Sequence, residues 1–280
     1  MIKKFRRPYR VKKRGSIFKN RFFWFSILIL IVFGGIFYLI CFYSFFQIKE
    51  IKISGNQKVL TGDLENAIQS QIVRELILGG QKVSTKSIFL TNLGKLNEVI
   101  LEKFPQISQI NLTRRFPDIL EAKIEERKPV AIFNHNDKYF FLDKEGIIFE
   151  KVLDSRDYLK IKSLNQNQYL NLGERAIKKE LLSLILEIDS KLSEDFKIPL
   201  EEVLVISDER INAKTLEGWE IYFNPQKNID WQLTKLKALL ENYLLPENRA
   251  NLEYIELRFG NLAPFKYREL REREESKRNR

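Results

Sequence analysis

One uninterrupted apolar stretch dominates the hydrophobic pattern of the chain. No charged side chain occurs between Arg21 and Lys49, and residues 22–46 consist mainly of Leu, Ile, Val and Phe. At a rise of 1.5 Å per residue, a helix over this stretch reaches about 37 Å, which exceeds the roughly 30 Å hydrocarbon core of a bilayer. The stretch is too long for a signal peptide, and no small-residue cleavage pattern follows it. The pattern therefore predicts one transmembrane helix over residues 22–46.

After the apolar stretch, the pattern switches between the strand period and the helix period. Alternating apolar and polar side chains predict strands over 48–53, 107–112 and 120–124. Apolar side chains at helical spacing predict helices over 61–76 and 93–104. The order β-α-α-β-β predicts a three-stranded sheet with two helices on one face.

From residue 130 onward, short alternating segments separated by turn residues predict a β-rich mixed region with two main helices. The predicted strands cover 131–133, 138–142, 147–149, 203–206, 211–216, 219–223 and 252–259. The predicted helices begin near Glu174 and near Asn228 or Asp230. The fold class is therefore α+β, with a single N-terminal transmembrane helix, a β-α-α-β-β domain and this second domain.

The net charge of +11 invites a nucleic-acid interpretation, but its distribution argues against one. Residues 1–21 contain ten Lys and Arg and no acidic residue, and the remainder of the chain has 38 Lys and Arg against 37 Asp and Glu. A basic flank next to an apolar helix is typical of the cytoplasmic side of a membrane protein. The sequence thus predicts a single-pass protein of the plasma membrane, with a cytoplasmic N-terminus, extracytoplasmic C-terminal domains and no nucleic-acid partner.

Candidate chemistry is sparse. The single cysteine, Cys41, falls in the predicted membrane helix, and the single histidine, His135, falls in a polar turn. A thiol nucleophile, a cysteine-ligated metal site and a Ser-His-Asp triad all need residues that this pattern does not supply. Adjacent carboxylates such as Glu201 and Glu202 are typical of a solvated face, whereas a glycosidase needs two that converge across a cleft. We therefore expect no catalytic residue, no metal, no cofactor and no small-molecule substrate.

Several motifs together resemble a known family. They are Gly55-Asn56 after the first strand, Arg115-Phe116-Pro117, the run from Glu126 to Ala131, Leu142-Asp143-x-x-Gly146, and 254–259 with its continuation to Lys266. The first three resemble a POTRA domain, and the whole set is similar to the bacterial cell-division protein family FtsQ, called DivIB in Gram-positive species. The stretch 159–163 departs from the family pattern, because the expected Pro and Gly are absent.

The resemblance implies a domain organisation. It comprises a basic cytoplasmic tail at 1–21, the transmembrane helix at 22–46, a POTRA domain at 47–128, an FtsQ-type β domain at 129–265, and a charged tail at 266–280 that we expect to be disordered.

The resemblance also implies a docking site. In the family, the end of the last sheet binds the division proteins FtsB, or its counterpart DivIC, and FtsL. By position, the implied partner-binding residues are Arg258, Phe259, Ala263, Phe265 and Tyr267. The implied mechanism is strand addition, in which an extended partner segment pairs with the exposed sheet edge and neighbouring aromatic side chains add affinity.

The favoured function is a non-catalytic, membrane-anchored scaffold that recruits FtsB-like and FtsL-like partners at the division septum. A membrane-anchored cell-wall hydrolase and a POTRA-bearing transport or assembly component stay open as alternatives. A sensor or anti-sigma protein is a weaker fit, because 21 residues on the inner side leave no room for a signalling domain.

Overall fold

The structure is a computed structural model and describes residues 20–78, 80–153, 157–164 and 170–268. The predictions for the basic tail therefore fall almost wholly outside the described residues, as do those for the charged tail beyond Arg268.

Within those residues the chain forms five α-helices and fourteen β-strands, so the mixed α+β class is confirmed. The helices are α1 (Arg21–Phe42), α2 (Thr61–Ile72), α3 (Leu93–Lys103), α4 (Lys179–Glu194) and α5 (Ile229–Asn242). The first strands are β1 (Glu50–Ser54), β2 (Arg74–Leu78), β3 (Gln81–Thr85), β4 (Ile107–Arg115) and β5 (Ile119–Glu126). The others are β6 (Ala131–His135), β7 (Lys138–Leu142), β8 (Ile148–Val152), β9 (Lys160–Ser163), β10 (Leu200–Ser207), β11 (Arg210–Thr215), β12 (Glu220–Phe223), β13 (Leu252–Glu256) and β14 (Phe265–Tyr267).

Helix α1 is long and apolar enough to cross a membrane. It ends at Phe42, four residues earlier than predicted, because Tyr43 has an extended backbone and residues 44–46 form a short 3-10 turn. Its 22 residues still span about 33 Å, which is enough for the hydrocarbon core of a bilayer.

The described residues divide into two compact units that do not follow the chain order. One draws on the described residues up to Ser54, on Thr61–Asn97 and on Asn111–Lys123, and the other on Gly55–Leu60, on Glu98–Ile110 and on the described residues from Ile124 onward. The domain boundaries expected at 128 and 129 stay a prediction.

A three-stranded sheet has the order β1-β5-β4, with β1 parallel to β5. Its strands lie close to the segments that the alternating pattern predicts. The predicted helix from 61 to 76 is wrong beyond Ile72, because Arg74–Leu78 pairs with Gln81–Thr85 in an antiparallel hairpin. Helix α2 itself buries four apolar side chains at helical spacing, Leu64, Ala67, Ile68 and Ile72.

A nine-stranded sheet forms the second architectural element, with the order β14-β13-β12-β11-β10-β9-β6-β7-β8. Strand β9, in the region where the family pattern is lost, lies between β6 and β10 and is parallel to both. The apolar faces of α4 and α5 join the inward side chains of the sheet in one core, in which Trp219 and Phe223 are fully buried. The two predicted helices of this region are confirmed, although α4 begins at Lys179 rather than near Glu174.

A buried ion pair explains part of the family-like motif around Asp143. The guanidinium of Arg127 donates to the Asp143 carboxylate, and the side chains are only 12% and 5% exposed. The other oxygen of Asp143 accepts the backbone N–H groups of Glu145 and Ile147, at 3.0 and 2.9 Å. Gly146 completes the turn at φ +75°, where a Cβ would lie 2.1 Å from the Ile177 carbonyl oxygen, so only glycine fits.

Glu126, the neighbour of Arg127, has a separate role. Its carboxylate accepts the backbone N–H groups of Gln57, Lys58 and Val59 at 2.7 to 3.0 Å. Burial alone would raise the pKa of Glu126, but these amide hydrogen bonds outweigh burial and lower the pKa. Glu126 and Arg127 therefore each bind a different partner.

Replacing Glu126 with Gln is expected to lower the free energy of unfolding by ~1 kcal/mol at neutral pH. The pKa of Glu126 in the folded state lies below the ordinary value of about 4.3. The ionised carboxylate therefore stabilises the fold at pH values above about 4.3, and this stabilisation is lost as the pH falls through the folded-state pKa. Urea unfolding of the full chain in detergent should therefore show the difference between variant and wild type shrinking on acidification. Glu125→Gln, at an exposed position of the same strand, is the control. If variant and wild type differ by the same free energy of unfolding at neutral and at acidic pH, this account is contradicted.

Candidate protein-docking edge

The candidate docking edge is strand β14 together with the loop 257–264 that precedes it. Among the described residues, β14 is the outermost strand at its end of the nine-stranded sheet, and it pairs antiparallel with β13. The Pro264 carbonyl accepts the Glu256 N–H at 2.8 Å, and the Arg268 N–H donates to the Asn251 carbonyl at 2.8 Å, so the pairing is closed at both ends of the strand. Pro264 lacks an N–H, but its carbonyl still joins β14 to β13.

The backbone of β14 has one inward and one outward set of hydrogen-bonding groups. Glu256 and Pro264 are opposite each other and share a hydrogen bond between the two strands. Two residues along each strand, Tyr254 and Lys266 form the next pair of the same kind. Backbone groups in an antiparallel strand alternate in direction, so the N–H and C=O of Lys266 face β13. Those of Phe265 and Tyr267 then face away from the sheet. This is the arrangement that strand addition requires.

Apolar side chains surround this edge. Phe265 and Tyr267 are 38% and 42% exposed and contact each other edge to face, with ring centroids 5.6 Å apart. Phe259 is 55% exposed. Leu262 and Trp231 add two more exposed apolar side chains next to the loop, and the Trp231 indole N–H lies 3.4 Å from the Gly260 carbonyl oxygen. Single exposed apolar side chains are common on protein surfaces, but a cluster of them is typical of an interaction surface.

Two of the five expected partner-binding residues have structural contacts of their own. The Arg258 guanidinium donates two hydrogen bonds to the nearly buried Glu256 carboxylate, at 2.8 and 2.6 Å. These bonds raise the pKa of Arg258, and the guanidinium also lies 5.4 Å from the Phe259 ring centroid. Ala263 is half-buried and packs against the core. Phe259, Phe265 and Tyr267 thus provide the exposed rings, whereas Arg258 and Ala263 shape the loop that carries them.

A residue outside the expected set, Lys235 of α5, organises the loop. The residue is 7% exposed, and its ammonium, which has three N–H donors, lies within hydrogen-bond distance of four backbone carbonyls, those of Leu257, Phe259, Gly260 and Leu262, at 2.6 to 3.1 Å. Burial lowers the pKa of Lys235 from its ordinary value, while the carbonyl dipoles favour the charged form. The sequence signal was its position: Lys235 shares the spacing of the apolar face of α5, where a solvated lysine is not expected.

The strand predicted over 252–259 ends at Glu256, so the prediction is wrong for residues 257–259. The carbonyls of Leu257 and Phe259 bind Lys235 instead of a neighbouring strand, and the chain turns at Gly260 before it returns as β14. The predicted docking residues therefore lie on a loop and a second strand, and not on one continuous strand.

The comparisons with known proteins concern the nine-stranded sheet first. Residues 131–258 match the family model described as "Cell division protein FtsQ/DivIB, C-terminal". This region belongs to the FtsQ/DivIB family of cell division proteins. The recognition made from the sequence motifs is confirmed. The match includes Arg258 and ends before the other four expected docking residues.

Individual relatives have the same names. The cell division protein FtsQ of Geotalea daltonii is 28% identical over 186 residues, which cover 65% of this chain and 61% of that protein. The cell division protein DivIB of Clostridium acetobutylicum is 27% identical over 106 residues, 38% of this chain and 37% of that protein. The DivIB of Clostridium tetani is 20% identical, with 77% of each chain covered. The chain thus matches less than two thirds of the length of the first two relatives.

One solved structure is also similar, the major extracytoplasmic domain of DivIB from Geobacillus stearothermophilus. It matches with a TM-score of 0.23 and 15% identity, and the match covers 45% of this chain and 93% of that one.

Proposed function

We propose that this protein is a non-catalytic scaffold of the bacterial division machinery that recruits FtsB-like, or DivIC-like, and FtsL-like partners at the septum. Its relatives are cell division proteins, and a role in division follows from that family. The step beyond the family is the recruitment itself and its location on strand β14.

The observation that carries the proposal is the outward-facing backbone of β14. Phe265 and Tyr267 each offer an N–H and a C=O at the end of the sheet, and exposed rings lie on the same strand. A partner segment in extended conformation gains main-chain hydrogen bonds from the edge and apolar contacts from Phe259, Phe265 and Tyr267. Lys235 holds the loop in place before the partner arrives, which reduces the ordering cost of binding.

The proposal includes a topology. The basic flank at residues 1–21 and the apolar helix α1 support a cytoplasmic N-terminus, which directs the sheet and its docking edge to the extracytoplasmic side. The order of β1, α2, α3, β4 and β5 supports a POTRA-like domain at 47–128, here with the β2–β3 hairpin inserted between the helices.

The scaffold role is favoured over a wall hydrolase by what the paired carboxylates contact. Glu126 binds backbone amides, Glu201 pairs with Lys214 at 2.8 Å, and Asp208 pairs with Lys178 at 3.4 Å. One member of each adjacent pair, Glu125–Glu126, Glu201–Glu202 and Asp208–Glu209, therefore has a structural partner. Glycoside hydrolysis instead needs two carboxyl groups that converge across a cleft from separate elements.

Replacing Tyr267 with Pro tests strand addition, because proline removes the outward N–H while the inward groups of Lys266 stay in place. We expect capture of co-expressed FtsB-like and FtsL-like proteins by the full chain in detergent to fall by about tenfold, the effect of one or two lost hydrogen bonds. Circular dichroism should stay unchanged.

Tyr267→Ala is the matched control, since it removes the ring and keeps the N–H. If capture falls equally in both variants, the ring and not the backbone carries binding, and strand addition is wrong. If neither variant changes capture, β14 is not the docking site.

A further inference from the structure

The last turn of α1 is held by side chains from outside the helix. The final carbonyls of a helix lack partners within it. The Ser87 hydroxyl donates to the Ile40 carbonyl at 2.6 Å, the Gln47 amide donates to the Cys41 carbonyl at 2.9 Å, and the Thr85 hydroxyl also donates to Cys41. These contacts fix residues 85–87 at the end of the apolar helix.

The backbone continues this connection. The Ile88 N–H donates to the Phe46 carbonyl at 3.0 Å, and the Ile48 N–H donates to the Lys86 carbonyl at 3.0 Å. The segment 86–88 therefore runs beside 46–48, directly after α1 and its short 3-10 turn.

Arg114 fixes the residues that follow. Its guanidinium donates to the carbonyls of Ile88 and Thr91, at 2.8 and 2.7 Å, so the loop that carries Phe89 has a defined position.

Three phenylalanines form a continuous row beside the segments 46–48 and 86–88. The ring centroids of Phe46 and Phe89 are 5.2 Å apart, and those of Phe89 and Phe116 are 5.1 Å apart. Phe89 is 42% exposed and Phe116 is 60% exposed. Exposed rings in contact with each other form an apolar surface patch, and such a patch is typical of an interaction site. We call Phe46, Phe89 and Phe116 the aromatic shelf.

We propose that the aromatic shelf lies in the interfacial layer of the bilayer at the end of α1, so that this unit contacts the membrane surface as well as being tethered to it. The argument is continuity: the row begins at Phe46, at the end of the apolar stretch that enters the membrane, and extends sideways through Phe89 to Phe116. Phenylalanine is among the residues that interfacial segments insert into the boundary between headgroups and acyl chains.

The charges next to the shelf suit a lipid surface. Lys86, three residues before Phe89, is exposed, and Arg115, next to Phe116, is exposed and forms an ion pair with Glu121 at 2.8 Å. A lysine beside rings that enter the bilayer extends its ammonium to the headgroup phosphates, so Lys86 is the basic side chain that this placement uses. The occupant of the shelf is therefore the bilayer that contains α1. This inference rests on α1 crossing the membrane and is independent of partner recruitment by β14.

Depth-dependent fluorescence quenching tests the inference. The full chain, with Trp24 replaced by Phe to remove the membrane tryptophan, is reconstituted in nanodiscs of phosphatidylethanolamine and phosphatidylglycerol. Phe116→Trp places a probe on the shelf with little change in side-chain chemistry. Lys123→Trp is the matched control, because Lys123 is exposed and pairs with Ser54 at the far end of β1, about 13 Å along the sheet from Glu50.

Lipid brominated close to the headgroup should remove most of the emission that the Phe116→Trp substitution adds, and little of that added by Lys123→Trp. Acrylamide in the water should quench the two in the opposite order. If bromolipid quenches the emission added by Phe116→Trp no more than that added by Lys123→Trp, the shelf has no preferred contact with the bilayer and the inference is wrong. Phe89→Trp supplies a second probe of the same surface should the Phe116 variant fail to fold. Partner capture is unchanged in either outcome, which separates this test from that of the docking edge.

Discussion

The Lys235→Met variant is expected to lose the ordered docking edge. Methionine matches the length of the lysine side chain but cannot donate, so the carbonyls of Leu257, Phe259, Gly260 and Leu262 lose their shared partner. A buried acceptor left unpaired costs about 1 to 3 kcal/mol, and relaxation of the loop toward water relieves part of this. We expect the free energy of unfolding to fall by about 2 kcal/mol in total.

The local effect should exceed the global one. Hydrogen exchange at the Glu256 and Arg268 amides, which join β13 to β14, should accelerate more than exchange in β11 and β12. Capture of the partner proteins should fall as the pairing of β13 with β14 weakens. Lys237→Met is the matched control, because Lys237 lies on the same helix, is 65% exposed and forms only a 3.9 Å contact with Glu241. An equal response of the two variants would show that Lys235 does not hold the loop.

The Arg127→Met variant is expected to lower the free energy of unfolding by about 3 to 5 kcal/mol. The substitution leaves the Asp143 carboxylate nine-tenths buried without its cation. It also removes the donor to the Pro105 carbonyl at 3.0 Å. Urea unfolding of the full chain in detergent, with Trp24 and Trp231 replaced by Phe in both proteins so that the buried Trp219 is the sole emitter, measures the change.

Two controls separate the ion pair from the general loss of a basic side chain. Arg115→Met removes an exposed partner of Glu121 and should change stability by less than about 0.5 kcal/mol, as is usual for surface pairs. In Arg127→Met with Asp143→Leu, the uncompensated charge is gone, so part of the stability should return. A double variant as unstable as the single one would show that the turn at Asp143, and not the buried charge, carries the effect.

Elements with several turns of one period could be predicted from the sequence. Helix α5 begins at Ile229, between the two starts expected near Asn228 and Asp230, and the Asn228 side chain accepts the Trp231 N–H at 2.8 Å. The hairpin between β6 and β7 turns at Asn136 and Asp137, both at positive φ, as the polar turn signal indicated. Local chemistry determines such features, so no distant partner is needed to predict them.

Where a short apolar run fits two periods, the sequence was not sufficient. Residues 74–78 were expected to continue α2 through Leu76, yet they pair with 81–85. Five residues cannot distinguish a helical turn from a strand, and the choice depended on whether a partner strand followed. Strand β14 was missed as a separate element for the same reason, since it has only three residues.

The candidate site divides in the same way. Phe259, Phe265 and Tyr267 could be named from motif and position, and the structure shows them exposed. The role of Lys235 could not, because the four carbonyls that it binds lie 22 to 27 residues further along the chain. Nor could the outward direction of the β14 backbone, which depends on its register with β13.

By itself, the sequence determined an apolar helix long enough to cross a membrane, the basic flank beside it, the types of most elements and the family to which residues 131–258 belong. These properties depend on residues that are close together in the chain: the length of the apolar stretch, the local charge, and the spacing of apolar side chains. The tertiary structure alone decided which strand is outermost, which buried charges meet and where the phenylalanine row lies relative to α1. Contacts of that kind join residues far apart in the chain, and packing selects them only when the whole core is assembled.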